Sequence, residues 1–73
     1  LVAALRALDW DGAAPQGNFL WFDLGEDSER FAALCERAGI VVRAFPDDGV
    51  RVTVASPEAS LRLVRAYRTF RAA

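Results

Sequence analysis

The run from Gly39 to Glu58, GIVVRAFPDDGVRVTVASPE, constrains the fold of this chain more than any other. Two stretches of β-branched residues flank a Pro-Asp-Asp-Gly turn, and Ser-Pro-Glu follows as a helix-start signal. The run therefore reads as strand, tight turn, strand and helix. Asp47-Asp48-Gly49 suits a three-residue hairpin loop, a type I turn with Gly49 in the left-handed bulge position. That loop pairs Pro46 with Val50, Phe45 with Arg51 and Arg43 with Thr53. Ile40, Val42, Ala44, Val50, Val52 and Val54 then share one face. Val41, Arg43, Phe45, Arg51 and Thr53 share the other. A slip of one residue would set part of the valine set beside the arginines, against the apolar pattern. In the expected register Arg43 and Arg51 are diagonal neighbours, with Cα atoms roughly 7–8 Å apart. Two guanidinium groups at that distance can converge on one carboxylate or phosphate.

The remaining elements follow from periodicity and punctuation. Leu1, Leu5 and Leu8 have helical spacing, which breaks at Asp9-Trp10-Asp11-Gly12. Gly12 to Gly17 reads as a linker. Asn18 to Leu24 alternates as a strand, with Leu20, Phe22 and Leu24 on one face and Phe19, Trp21 and Asp23 on the other. Gly25-Glu26-Asp27-Ser28-Glu29 ends it and opens a second helix, with acids where the helix dipole favours them. Phe31, Leu34, Cys35 and Ala38 form the apolar stripe of that helix, and Gly39 stops it. The last helix starts with Ser56 as N-cap and Pro57 in the first turn. Leu63, Tyr67 and Phe70 form its apolar face, with Val64 at the margin.

The order α-β-α-β-β-α predicts an α+β two-layer sandwich. A right-handed crossover followed by a hairpin gives a mixed three-stranded sheet of order 1-3-2. The third strand lies between the other two and antiparallel to both, and the helices cover one face. The other face then holds Phe19, Trp21, Val41 and Phe45 together with the two arginines, and no helix remains to cover it. Such a surface predicts a docking partner outside this chain.

Residue usage narrows the function. The chain has nine basic residues, all arginine, and lacks lysine, histidine and methionine. The absent methionine and the uncapped first helix predict a segment of a longer protein, with residues 1–8 the end of an upstream helix. No apolar run approaches the ~20 residues of a membrane span, and no secretory leader is visible. One cysteine cannot close an internal disulfide, which fits a cytoplasmic setting. A formal net charge of −1 gives no general attraction for nucleic acid. Arg62, Arg65, Arg68 and Arg71 on the last helix read as a solvated face, Cys35 as core filler and Asp47-Asp48 as a turn. No metal site is expected.

Several of these motifs occur in a familiar order: Pro15-Gln16-Gly17-Asn18-Phe19, Gly39-Ile40-Val41-Val42-Arg43, Gly49-Val50-Arg51-Val52-Thr53-Val54 and Pro57-Glu58. Together they resemble the C-terminal small domain of histidinol-phosphate and aromatic amino-acid aminotransferases. These are fold-type I enzymes that use pyridoxal phosphate, and the resemblance spans residues 1–73. It implies that Arg51 binds the substrate's α-carboxylate, or the phosphate of histidinol phosphate, and that Arg43 assists at the same anion. Asn18 is implied to be structural. Ala55-Ser56 stands where the family more often has Gly-Thr, and the short Pro46–Gly49 loop leans toward the aromatic branch. The resemblance further implies a homodimeric parent, with the cofactor held by a large domain absent from this chain.

Transamination needs a lysine to hold the cofactor as a Schiff base and shuttle a proton. A chain without lysine supplies no catalytic residue for it, only an anion clamp. Two other readings stand beside this one. Arg51 could be a surface arginine paired with Asp23, Asp47 or Asp48. The strand order also suits a ferredoxin-like regulatory module, free-standing or fused, whose hairpin arginines bind an amino-acid or other small anionic effector.

Overall fold

The computed structural model describes residues 1–13 and 17–72. Helix α1 (Val2–Arg6) leads to strand β1 (Phe19–Phe22), and a 3-10 turn (Gly25–Asp27) leads into α2 (Ser28–Arg37). Strands β2 (Val41–Phe45) and β3 (Gly49–Thr53) form a hairpin, and α3 (Pro57–Ala72) closes the chain. The sheet order is β1-β3-β2, and both pairings are antiparallel. The outer strands run parallel to each other without touching, so the expected α+β sandwich of order 1-3-2 is what forms. Of the expected linker, residues 14–16 lie outside the described residues.

The helices pack on the face of the sheet that is apolar throughout, and both strand arginines lie on the other. Leu20, Phe22, Val50 and Val52 meet Leu5 of α1, Phe31 and Cys35 of α2, and Leu63, Tyr67 and Phe70 of α3 in one buried cluster. Phe22 is its centre. Its ring centroid lies 4.9 Å from that of Phe31, 5.2 Å from Tyr67 and 5.8 Å from Trp10, tilted in each case. Trp10, on the segment after α1, is buried and donates its Nε1–H to the Trp21 carbonyl at 3.2 Å. That bond ties the α1 segment to the edge strand β1. Gly39 ends α2 with φ of +77°, the left-handed stop expected of it. Ser56 caps α3 by accepting the Ala59 N–H at 3.1 Å. Burial pushes the Cys35 thiol up to about 12, aided by the charge of Glu36. This side chain is core filler, as its place in the helical stripe indicates.

The hairpin register differs from the expected one. Phe45 pairs with Gly49, Ala44 with Val50 and Arg43 with Arg51. The loop is therefore Pro46-Asp47-Asp48, and Asp47 takes the left-handed conformation at φ +63°. Gly49 has no positive φ and sits inside the ladder. A Cβ there would collide with the Trp21 ring and the Phe22 carbonyl, so this position needs glycine for space instead of for backbone freedom. Asp tolerates the left-handed region better than most residues, which lets Asp47 take over the turn. The shift is two residues, and side chains alternate with a period of two, so every face assignment survives it. Strand β1 is also shorter than expected, because the chain turns at Gly25, whose N–H bonds to the Asp48 carbonyl at 3.1 Å.

Candidate anion site on the open sheet face

The uncovered face of the sheet is a small grid fixed by the ladders. One row is Phe19, Thr53 and Val41; the next is Trp21, Arg51 and Arg43. Beyond these, Phe45 faces Gly49. The missing side chain at Gly49 leaves a trough that the Trp21 ring fills, bringing its centroid to 5.6 Å from that of Phe45. Phe19, Trp21 and Val41 remain 49%, 39% and 69% exposed, so this face lacks cover among the described residues.

Both candidate arginines are on this face, directly opposite each other and not diagonal as expected. Directly opposed residues have Cα atoms only about 4.5–5.5 Å apart, and like charges in that relation are destabilising. Neither arginine takes part in an ion pair among the described residues. The pairs there are Arg30–Asp27, Arg62–Glu58 and Arg71–Asp9. The alternative in which Arg51 pairs with Asp23, Asp47 or Asp48 is therefore not what the structure shows. Each guanidinium instead lies near an aromatic ring. Arg51 Cζ is 5.1 Å from the Phe19 centroid, and Arg43 Cζ is 5.2 Å from that of Phe45. Such contacts hold a cation without neutralising it. The result is two adjacent positive charges, accessible and short of counter-charge, on a rigid three-stranded surface. An anion placed here would relieve their repulsion.

Sequence reasoning found both arginines and their common face. It missed the aromatic supports. Phe45 follows Arg43 by two residues on one strand, so that contact is legible from alternation alone. Phe19 reaches Arg51 only through the pairing of β1 with β3, which no local pattern reveals. It also gave Gly49 a turn role, whereas the structure uses it to seat Trp21.

No group of side chains suited to a metal ion occurs among the described residues. None of the described helices is long and apolar enough to cross a membrane. Away from this face, a concavity of about 370 Å³ lies between α2 and α3, lined in part by Leu34, Arg37, Ala38, Arg62, Arg65 and Thr69. Arg62 is bound to Glu58 there, and the Arg37 Nε–H donates to the Ala33 carbonyl. Arg71, in the last turn of α3, reaches Asp9 at 3.3 Å. This side of the molecule fits the solvated face expected for the last helix.

No protein-family model matches the chain. Three relatives all bear the name aromatic amino acid aminotransferase. That of Streptomyces avermitilis is 46% identical over 71 residues, which is 97% of this chain and 20% of the relative. That of Streptomyces coelicolor is 47% identical over 68 residues, 93% of this chain and 19% of the relative. That of Thermobifida fusca is 44% identical over 68 residues, again 93% and 19%. The chain thus spans about a fifth of the length of these relatives. Over nearly all of its own length, this chain is an aminotransferase-related sequence.

Proposed function

We propose that this chain is the C-terminal small domain of a pyridoxal-phosphate-dependent aminotransferase, and that Arg51, assisted by Arg43, binds the carboxylate of an aromatic amino-acid donor. The observation that carries the reading is the opposed pair of arginines on the open sheet face, neither in an ion pair among the described residues. The names of the relatives support an aromatic donor over histidinol phosphate. In the full-length protein the amino group passes to a 2-oxo acid, α1 is the end of a helix from the large domain, and the enzyme is a cytoplasmic homodimer.

The residues of this chain do not fit a pyridoxal phosphate pocket. No lysine is present to condense with the cofactor aldehyde, so the cofactor belongs to residues outside this chain. What this chain contributes is orientation. A guanidinium forks a carboxylate through two parallel N–H donors, which fixes both the position and the plane of the ligand. Holding the donor in one orientation lowers the barrier as well as improving binding.

In the full-length protein, Arg51→Ala removes this fork. Loss of a hydrogen bond to a charged group costs about 1.5–3 kcal/mol, so kcat/KM for L-phenylalanine should fall roughly 10- to 150-fold. Cofactor absorbance should persist. Unchanged kinetics would show that Arg51 is not the clamp. A colourless full-length protein that binds amino acids without reacting would favour the regulatory module instead.

A further inference from the structure

Arg43 and Arg51 stand face to face in the β2–β3 ladder, where their charges repel, and each guanidinium lies near a different ring. Phe19 pairs with Thr53, one row to one side of the arginines; Phe45 pairs with Gly49, one row to the other. The rings beside the two guanidinium groups thus belong to the rows on opposite sides of the arginine row. Core packing does not explain Phe19, which is half exposed. Its evident neighbour is the cation.

We propose that Phe19 is a positioning residue for Arg51, holding its guanidinium clear of Arg43 so that it meets an incoming carboxylate in one orientation. The inference rests on the reading of Arg51 as the donor's carboxylate clamp. The face of a phenyl ring attracts a guanidinium through its quadrupole. Contact through the flat face leaves the N–H edge free for a carboxylate. Tyrosine preserves that attraction, whereas leucine fills similar space without it. Because the ring acts against repulsion from Arg43, its effect depends on the charge of Arg43.

The test is steady-state kinetics of the full-length protein with L-phenylalanine as donor. Phe19→Leu should raise KM about two- to fivefold, the factor of an exposed cation–π contact, with a smaller change in kcat. Phe19→Tyr should keep the original KM. In an Arg43→Gln background, Phe19→Leu should have a clearly smaller effect. An equal rise in both backgrounds would overturn the proposal, as would an unchanged KM in Phe19→Leu or a tyrosine variant as weak as the leucine one. Should Phe19→Leu fail to fold, Phe19→Ile is read in the same way, since isoleucine suits a strand and also lacks a π-face. Arg51→Ala separates the two readings. If it leaves KM unchanged, the clamp itself is wrong and this inference falls with it. If it raises KM while Phe19→Leu does not, only the role of Phe19 is lost.

Discussion

Gly49 illustrates how one residue can organise this surface. Its place in the ladder lets the Trp21 ring lie across β3 and reach Phe45, with the Phe22 carbonyl also close by. Alanine at this position has two opposing effects. Replacing glycine within a strand recovers about 0.5–1 kcal/mol of backbone entropy. Forcing a methyl into occupied space costs typically 1–3 kcal/mol, and the Phe22 carbonyl is backbone that cannot swing aside. Gly49→Ala should therefore destabilise the protein and alter Trp21 fluorescence. Equal or higher stability in urea, with unchanged emission, would show that the trough is not needed. The residue type was readable in the sequence, but its role was not. Pro-Asp-Asp-Gly marks a turn equally well with Gly49 at its corner or just beyond it, and only the Trp21 ring, from a distant strand, decides between them.

Among the elements, α3 has the start best specified by local chemistry. Ser56 accepts the Ala59 N–H, and Pro57 and Glu58 occupy the first turn. The Glu58–Arg62 pair one turn on is solvent-exposed. Exposed helical pairs of this spacing contribute only about 0.3–0.5 kcal/mol, whereas loss of a serine cap costs about 1 kcal/mol. Ser56→Ala should thus lower Tm by roughly 4–8 °C in a domain of this size, and Glu58→Gln by less. The reverse order in thermal denaturation would show that the cap is not the stronger device. The same local logic made α2 readable, from its acidic entry to Gly39. It failed at the ends of β1, because a strand stops where its partner stops. Leu24 continues the alternation, yet the chain already turns at Gly25 to bond with Asp48.

For the whole molecule, the two faces of the sheet have opposite fates. One is sealed by three helices around Phe22, and the other exposes Phe19, Trp21 and Val41 beside two arginines. The 73-residue chain by itself should therefore bind a hydrophobic dye or self-associate as its concentration rises. A monodisperse monomer without dye binding would argue against a docking partner for this face. The sequence by itself determined the element order, the sandwich and the face on which each strand residue lies. Periods of 2 and 3.6 are local properties, and a register error of two residues leaves them intact. Tertiary structure alone decided that Arg43 opposes Arg51, that Phe19 supports one of them, and that Gly49 makes room for Trp21. Each of these depends on which residues of separate strands come level, and that is settled by how side chains from three strands fit together.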